Sequence, residues 1–542
     1  MGREYTSEEL DSLSTNELKT IILTMQGQVA QLNENMEHLI EQIRLSNQKL
    51  YGRKTETMDQ IAGQLSIFDE SEALSDPSLE EPSPEDVIRT SPRRPVRKKG
   101  KRDTDLAGLT EEVIEHGLTD EALDAFFGAG CWRRREDESY KRLRYVPQSW
   151  VVEVHKVQVA VGTDGEHQDE FLRGRRSSDL LRNSIVTPSL AGAILNGKYV
   201  LALPYYRIEQ EFQRNGIYIS RQTMANWVIS LSRKYFSPLC ERLKKELLSC
   251  HVNQADETPT LVLKDERETV SNSFMWVHRT GEFNTERPVI LYEYQKTRRS
   301  DHPLEYYKDF NGVLVTDGLQ QYHTLAKKLK QVTNANCWTH ARRFFADAIK
   351  AAGKKDSDAV RNSVAYRALI LIGQIFDQEG RLKQLDPEER LRERRKKIAP
   401  LVEAYFAWAK QQLADGTVPP KSETAKGLNY SINQEEYLRV FLTDGEVPID
   451  NSASERSIRP FCLGKKNWLF FNTIKGAEAG AMVYSIAETA KANHLNTYQY
   501  FKYLLEELPK LADEKDDIDP DSLDHVLPWS KTIPKECISK RH

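Results

Sequence analysis

From about residue 250, short runs rich in β-branched and aromatic residues follow one another, and this succession constrains the fold most. Three runs (HVNQADETPTLVL, SFMWVHRT and RPVILYEYQ) come first, and a fourth, GVLVTDG, precedes the helical stretches QYHTLAKKLK and HARRFFADAIKAA. Strands in succession followed by β–α alternation are typical of a mixed sheet with helices packed on it. The sequence therefore predicts an α/β core over residues 246–508, with a charged helical insertion at about 355–445 and a C-terminal tail at 509–542.

Three acidic residues occupy places where such a sheet would gather them. Asp317 follows the buried run Val313–Val315, and ligands of α/β sheets bind at the carboxyl ends of strands. Asp256 lies in another β-rich run, so the two aspartates would face the same side if the registers of their strands agree. Glu455 lies where a helix is expected to begin.

Each acid also has a structural interpretation. Asp317 could cap the turn after its strand, and Asp256 could be a surface residue of a strand. Ser452 and Glu455 have the spacing of a capping box, in which the Glu455 carboxylate accepts a hydrogen bond from the Ser452 amide. The residues alone leave these alternatives open.

Together, Asp256, Asp317 and Glu455 suit metal-dependent phosphoryl transfer. Attack on a phosphodiester needs neutralised charge on the phosphate oxygens and an activated water or hydroxyl, and two cations roughly 4 Å apart serve both needs. Mg²⁺ and Mn²⁺ prefer carboxylate oxygens and keep water and substrate oxygens as further ligands. We therefore predict these three residues as the catalytic and metal-binding set, with two Mg²⁺ or Mn²⁺ ions.

Charge is segregated along the chain. The net charge is -4, yet residues 69–86 hold eight acids and no base, whereas residues 93–102 hold seven bases and no acid. Local rather than total charge therefore bears on nucleic-acid binding. The six cysteines are scattered singly, which predicts no disulfide framework and suits a reducing cytosol. No apolar run approaches the roughly 20 residues that span a bilayer, so we expect no membrane partner.

The first 60 residues predict a coiled coil. Ten positions from Leu18 to Leu50 step alternately by four and three, and nine of them are apolar, which is a heptad seam. A seam this narrow implies a partner helix, most simply a second copy; one long helix packed on the chain's own body is the alternative. Residues 61–105 predict a disordered linker with an acidic and a basic half.

Residues 176–245 predict a helical segment with the outline of a helix-turn-helix. Pro204 begins the stretch PYYRIEQEFQRNG, Gly216 suits its end, and Ser220 suits the N-cap of the next helix. Plain packing within a helical domain is the alternative to DNA recognition. The second helix carries three candidate DNA-contacting residues: Arg221, Gln222 and Asn226.

Several strings around the acids form an ordered series: ADETP, VTDGLQQY, CWTHARRFF and PIDNSASERSIRPFCLGKKNWLFFNT. This series resembles the signature motifs of the TnpC-type DDE transposases of the insertion-sequence sixty-six family. LYGRKTE, SLAGAILNGKYVLALPYYRIEQEF with SRQTMANW, and LPW at 527–529 extend the resemblance over most of the chain.

The resemblance implies that Asp256, Asp317 and Glu455 are the catalytic acids of a ribonuclease-H-like core. The implied activity is cleavage at the ends of a mobile element and joining of the freed 3′-hydroxyl to target DNA. Expected partners are element ends and target DNA, a second copy in a homodimer or higher oligomer, and accessory transposition proteins; the expected location is the bacterial cytoplasm, at the nucleoid. Further expected DNA contacts near the acids are His340, Arg342, Arg343, Arg456, Arg459, Lys465 and Lys466.

One feature departs from the family. Its members usually carry a cysteine-rich zinc-binding module before the helix-turn-helix-like segment, whereas residues 106–175 contain only Cys131. A tetrahedral zinc site cannot be built from one cysteine, so we expect a degenerate module and no zinc. Cys337 and His340 have no second ligand pair nearby; we interpret them as supporting the active site, with a packed cysteine and a core histidine as the alternative.

Two other functions compete with transposition. A ribonuclease-H-like nuclease would cut without joining, although the coiled coil and the long insertion argue against a minimal nuclease. A catalytically inactive, transposase-derived DNA-binding protein would keep recognition alone, but all three acids are present.

Overall fold

The computed structural model describes residues 150–161, 171–173, 179–267, 272–352, 358–416, 418–513 and 517–540, with isolated positions between 14 and 27. The predicted coiled coil (apart from those positions), the linker 61–105 and most of the module 106–175 lie outside the described residues. The chain divides into two compact units, residues 70–178 and the remainder. Within the first unit, β1 (Val159–Val161) pairs antiparallel with β2 (Phe171–Arg173).

Between residue 179 and the central sheet, the second unit has four α-helices, and their ends follow local sequence signals. Thr187 caps the first helix by accepting a hydrogen bond from the Leu190 amide at 3.3 Å, and Ser220 caps the third through the Thr223 amide at 3.1 Å. Gly216, at φ +76°, lies in the turn between the second and third. The four helices are α1 (Pro188–Leu195), α2 (Tyr205–Arg214), α3 (Arg221–Leu231) and α4 (Ser237–Ser249).

Five strands form the central sheet in the order β6-β5-β3-β7-β8. β5 is antiparallel to both of its neighbours, β6 and β3, whereas β7 is parallel to β3 and β8 is parallel to β7. A separate pair joins β4 to β9 in parallel. The predicted mixed α/β sheet is therefore confirmed. The strands are β3 (Val252–Thr260), β4 (Val262–Lys264), β5 (Ser273–Thr280), β6 (Ile290–Gln295), β7 (Gly312–Thr316), β8 (Val332–Asn336) and β9 (Phe471–Thr473).

Helices cover both faces of this sheet and run through the predicted insertion, whose described residues are mainly helical. No described helix is long and apolar enough to cross a membrane. The helices are α5 (Asp301–Tyr306), α6 (Gln320–Lys328), α7 (Trp338–Ala352), α8 (Asp358–Arg361), α9 (Val364–Gly380), α10 (Pro387–Glu393), α11 (Ala399–Ala414), α12 (Glu423–Asn433), α13 (Glu435–Leu438), α14 (Ser452–Trp468), α15 (Ile474–Ala492) and α16 (Thr497–Glu507).

Alternation along β7 separates two hydrophobic cores. Leu314 packs into a core that includes Tyr322 of α6 and the helices before and after the sheet. Val313 and Val315 pack into the other core, which includes Trp338 of α7 and the insertion helices. Because successive side chains of a strand point to opposite faces, one strand stabilises both layers.

The outer edge of the sheet is covered by α15. The Ile290 amide of β6 donates to the Thr489 hydroxyl at 3.0 Å, and the Tyr292 amide donates to the Ser485 hydroxyl at 2.7 Å. The amides of an edge strand, which would otherwise be unpaired, thus find their acceptors on a helix.

Buried arginines hold the insertion to the segment that leads into α14. Arg394 is fully buried, pairs with Glu379, and donates to the carbonyl oxygens of Phe441 and Asp444 at 2.8 Å each. Arg390 donates to the carbonyl oxygen of Gly445 at 2.7 Å. Removing one partner of such a buried pair typically costs about 3–5 kcal/mol, so these contacts fix the start of α14.

Candidate active site on two neighbouring parallel strands

The registers of β3 and β7 bring two aspartates level with each other. The parallel pairing aligns Val252 with Val313 and Gln254 with Val315, and two residues further along each strand lie Asp256 and Asp317. Both side chains are half-buried. The condition on which the sequence prediction depended, agreement of the two registers, is therefore met.

Asp256 is half-buried among other acids. Burial raises the pKa of Asp256 well above its usual value, and the charges of Glu257, Asp317 and Glu455 raise this pKa further. The Glu257 amide opposes that shift by donating to Asp256 Oδ1 at 2.9 Å. Like charges that repel one another this closely are relieved by a proton or a bound cation.

Asp317 has a milder shift of the same sign. Burial raises its pKa to about 6, with a further rise from the charge of Glu257. The Leu319 amide, which donates to Asp317 Oδ1 at 3.1 Å, and the charge of Arg298 act in the opposite direction. A carboxylate with a pKa near 6 exchanges a proton for a metal ion readily at neutral pH.

Glu455 reaches the aspartates because the first turn of α14 is bonded to β3. The Asn451 side chain donates to the Ala255 carbonyl oxygen at 2.8 Å and accepts from the Gln254 amide group at 3.2 Å. Arg279 of β5 donates to the Ala453 carbonyl oxygen at 3.1 Å. These bonds hold the first turn of the helix against β3, and from there the charge of Glu455 raises the pKa of Asp256.

The capping-box alternative for Glu455 is wrong. The Ser452 amide donates to Asp450 Oδ1 at 2.9 Å, so Asp450 performs that task instead. Glu455 Oε1 lies 3.3 Å from Arg343 Nη2 and 3.8 Å from His340 Nε2. The Glu455 side chain is 23% exposed, and its charge acts on Asp256.

The donor set fits a hard cation in its chemistry. Its members are carboxylate oxygens, and the two aspartates carry mutual repulsion that a cation would remove. Among the described residues, however, no three Asp, Glu, His or Cys side chains lie close enough together to hold a metal ion. Glu455 is the member engaged elsewhere, through Arg343.

A fourth carboxylate, Glu257, was missed by the sequence prediction. Its side chain is 1% exposed, pairs with Arg298, and accepts a hydrogen bond from the Tyr322 hydroxyl at 2.8 Å. Its charge raises the pKa of both Asp256 and Asp317. The sequence did contain a signal for it: Glu257 directly follows Asp256, and successive side chains of a strand point to opposite faces, so Glu257 had to lie on the other face of the sheet.

Cys337 and His340 have different roles. Cys337 is fully buried, and its Sγ accepts a hydrogen bond from the Asn451 amide at 3.1 Å, which holds the start of α14. Burial raises the pKa of this thiol above its usual range. Burial, and secondly the charge of Arg343, lower the pKa of His340 to about 4, so a neutral imidazole lies beside Glu455. The packed-cysteine interpretation holds for Cys337, and this cysteine supports the site through Asn451.

The insertion also contacts the site. The Tyr430 hydroxyl of α12 donates to the Asp317 carbonyl oxygen at 3.0 Å. Gly318 adopts φ +87°, and a Cβ there would lie 2.7 Å from the Tyr430 hydroxyl and 2.8 Å from Asn336 Nδ2. The backbone at this strand end therefore requires glycine.

The predicted DNA-contacting residues fall into separate groups. Arg221, Gln222 and Asn226 are exposed on α3, where Gln222 Nε2 donates to Asn226 Oδ1 at 3.0 Å. His340 and Arg343 lie beside Glu455, whereas Arg342 is half-buried on α7. Arg459 is half-buried and Lys466 exposed along α14. Arg456 pairs with Glu282 at 2.9 Å, and Lys465 donates to the Pro259 carbonyl oxygen at 2.6 Å.

A mixed sheet flanked by helices, with Asp256 in the middle of β3 and Asp317 just after the end of the parallel strand β7, is consistent with a nuclease-like α/β core. The "Transposase IS66 family" matches residues 183–479, and the chain therefore belongs to that family. The "IS66 C-terminal element" matches residues 485–529. "Transposase C of IS166 homeodomain" matches residues 38–114, which overlap the predicted coiled coil, linker and module.

The similar curated proteins come from Sinorhizobium fredii (strain NBRC 101917 / NGR234). Uncharacterized protein y4qI is 27% identical over 348 residues, which cover 62% of this chain and 62% of the relative. Uncharacterized protein y4hP is 26% identical over 352 residues, covering 64% of this chain and 62% of the relative. The chain thus spans less than two thirds of the length of these relatives.

Proposed function

We propose that this protein is a DDE transposase that cleaves DNA at the ends of a mobile element and joins the freed 3′-hydroxyl to target DNA. The observation that carries the proposal is the convergence of Asp256, Asp317 and Glu455, which lie far apart along the chain and yet interact electrostatically. A ribonuclease-H-like description of the core is supported by the sheet, with three antiparallel strands followed by two parallel ones.

Asp256 and Asp317, with Glu455, would hold two Mg²⁺ or Mn²⁺ ions. When bound, the ions supply charge neutralisation at the phosphate and lower the pKa of water or of a 3′-hydroxyl. The protein keeps the aspartates in place through strand pairing, and keeps Asp317 positioned through the Leu319 amide and Tyr430. The uncharged imidazole of His340 leaves Arg343 as the cation nearest Glu455.

Arg343 is placed to bind a DNA phosphate beside the acids. Its side chain is 45% exposed at the rim of the site, so its guanidinium is open to solvent while it contacts Glu455. Arg456, the residue after Glu455 on α14, is 48% exposed and pairs with Glu282, and it offers a second cation near this end of the helix. Cations near the scissile phosphate position the strand without reading its sequence.

Sequence recognition is proposed for α2 and α3. The buried face of α3 carries Met224 and Val228, and the opposite face presents the three predicted contact residues to solvent. A capped helix with polar side chains exposed to solvent suits insertion into a major groove. Dimerisation through the predicted coiled coil would let two element ends be processed together.

The test uses duplexes taken from the DNA that flanks the gene, where inverted repeats are expected. The full-length protein is incubated with a labelled duplex, a target plasmid and Mg²⁺ or Mn²⁺, and products are separated on denaturing gels. Cut strands that become joined to the plasmid support the proposal. Cutting without joining supports the nuclease alternative, and binding without cutting under either metal supports the inactive DNA-binding alternative.

A further inference from the structure

Arg298 lies in the loop between β6 and α5, next to the segment that follows Asp317. Gln321, in the first turn of α6, donates through Nε2 to the Arg298 carbonyl oxygen at 3.0 Å. Thr297, the preceding residue, is joined to His302 of α5, with 2.8 Å between Oγ1 and Nε2. The backbone that carries Arg298 is therefore held against the first turn of α6, which directly follows the turn at Asp317.

A buried carboxylate holds the guanidinium of Arg298 in place. The Glu257 side chain is 1% exposed, and its Oε1 accepts hydrogen bonds from Nε of Arg298, at 2.8 Å, and from Nη2. The other carboxylate oxygen accepts from the Tyr322 hydroxyl at 2.8 Å. The guanidinium carbon lies 5.7 Å from the ring centre of Phe274. Because these contacts already order the guanidinium, it loses little conformational freedom when it binds a further acceptor.

The third nitrogen of this guanidinium is open. The Arg298 side chain is 39% exposed, and within the part of the chain that the structure describes, Nη1 has no hydrogen-bond partner. Arg267 and Arg394, which also pair with buried carboxylates, differ in this respect. Nη1 of Arg267 donates to the Lys296 carbonyl oxygen at 3.0 Å, and Nη1 of Arg394 donates to that of Phe441 at 2.8 Å. Arg298 therefore keeps two N–H groups for an acceptor from outside the fold.

These N–H groups belong to a cation that interacts with the candidate active site. Burial and the charge of Glu257 raise the pKa of Asp317, and the charge of Arg298 lowers it. A cation and a carboxylate that affect each other in this way lie close together. Besides carboxylates, phosphates are the groups whose geometry a planar guanidinium matches best. A DNA strand that brings one phosphate to Asp256 and Asp317 carries further phosphates on either side of it.

We propose that Arg298 binds a phosphate of the DNA strand on the Asp317 side of the candidate active site, and that Glu257 is the positioning residue that holds its guanidinium for this contact. The inference rests on the proposed function, because it takes DNA as the ligand. Arg343, which contacts Glu455, would bind the strand at α14, and Arg298 would bind it at the first turn of α6. Contacts of this kind position a strand without reading its sequence.

The variants separate phosphate binding from the support that Arg298 gives to Glu257. Arg298→Gln alone would leave Glu257 buried without its cation, so it is combined with Glu257→Gln, whose neutral amide can still accept from the Tyr322 hydroxyl. Arg298→Lys keeps the ion pair but has only one nitrogen, which that pair occupies. Arg439→Gln is the matched control, because Arg439 is 26% exposed and also pairs with carboxylates.

The first measurement is the salt dependence of binding to a labelled duplex from the flanking DNA, followed by fluorescence anisotropy without added metal so that no strand is cut. The double variant is expected to bind about tenfold more weakly than the wild type, the size of one charge-assisted hydrogen bond. The slope of log affinity against log salt should become shallower by about 0.9, the contribution of one phosphate. The control should keep the wild-type slope. An equal loss of slope in the control would overturn the assignment to Arg298.

The second measurement locates the phosphate. A set of duplexes carries one uncharged methylphosphonate in place of a phosphate, moved one position at a time across the end of the element. One position is expected to weaken wild-type binding about tenfold. The same position should have no further effect in Arg298→Lys or in the double variant, because the contact has already been lost, and the melting temperature of Arg298→Lys should match that of the wild type.

These results separate the inference from the proposed function. If the wild type binds the duplex but every methylphosphonate weakens the Arg298 variants as much as the wild type, the phosphate contact is overturned and the proposed function stands. If one phosphate is coupled to Arg298 but no strand is cut or joined with Mg²⁺ or Mn²⁺, the contact stands and the transposase activity is overturned. A wild type that binds no duplex overturns both.

Discussion

The strand-borne and helix-borne parts of the candidate site are built differently. Asp256 and Asp317 are fixed by backbone pairing and backbone hydrogen bonds. Glu455 is carried on a helix, and its carboxylate contacts the half-exposed side chain of Arg343. The comparison teaches that the fold holds two of the carboxylates in place, whereas the position of the third depends on which partner its side chain contacts.

The largest expected effect tests whether both parts are needed. Asp256→Asn, Asp317→Asn and Glu455→Gln should each reduce strand cleavage and joining by roughly 10³-fold or more, because each removes a negative ligand oxygen at the reacting phosphate. Gel assays of both steps measure the loss, and duplex affinity should remain within about twofold. Asp309→Asn, an exposed aspartate, is the isosteric control. Cleavage near the wild-type rate in any one variant would remove that residue from the site.

A smaller effect probes the rigidity of the strand-borne part. Gly318→Ala introduces a Cβ at φ +87° against the Tyr430 hydroxyl and should destabilise the protein by about 1–3 kcal/mol, as measured by urea unfolding. Tyr430→Phe removes the clashing oxygen, so the double variant should recover part of the loss. Full additivity of the two changes would show that this strand end adapts freely.

The pH dependence of stability should distinguish the two parts. The pKa of Asp317 is raised to about 6 from an ordinary 3.8, so the folded state retains a proton that the unfolded state releases. The metal-free wild type should therefore lose stability as pH rises from about 4 to about 6.

Melting temperatures at several pH values measure this loss. The melting temperature of Asp317→Asn relative to that of the wild type should rise between about pH 4 and pH 6 and keep this increase at higher pH. The melting temperature of Asp309→Asn should change with pH as that of the wild type does. Parallel curves for wild type and Asp317→Asn would contradict the raised pKa.

The smallest effect concerns the helix-borne part. Arg343→Gln frees Glu455, so Mn²⁺ should bind the DNA-free protein about twofold to fivefold more tightly, the range of a partly exposed ion pair. Calorimetric titration measures the affinity. Arg381→Gln, which breaks an exposed pair with Asp377, is the control and should change nothing. Weaker Mn²⁺ binding in Arg343→Gln would show that Arg343 instead orients Glu455 toward the metal.

Sequence reasoning reached the aspartates because their signals are local. A buried apolar run ending in Asp317 defines a strand end, and a second β-rich run places Asp256 beside it once the register agrees. Helix starts at Ser220 and the turn at Gly216 are equally local. The family was identified from an ordered series of short strings, and the match over residues 183–479 confirms it.

Other parts of the site depend on tertiary contacts that spacing does not reveal. The spacing of Ser452 and Glu455 predicted a hydrogen bond between them, but the Ser452 amide donates to Asp450 instead. The segment before α14 is held by a further hydrogen bond, from the Asn451 amide to Cys337 Sγ. Glu257 is buried and pairs with Arg298, which lies 41 positions further along the chain. Side-chain geometry decides whether the carboxylate of Glu455 contacts a metal ion or the guanidinium of Arg343. A sequence pattern carries no information on that geometry.

The hydroxyls that α15 offers to β6 have a consequence for self-association. An open strand edge would accept a strand from another molecule and lead to growing aggregates. The hydroxyls of Ser485 and Thr489 accept hydrogen bonds from this edge. The double variant Ser485→Ala, Thr489→Val would therefore leave the amides of Ile290 and Tyr292 without these acceptors. Copies of this protein therefore do not pair through this edge of the sheet, and the proposed assembly on DNA would use other surfaces.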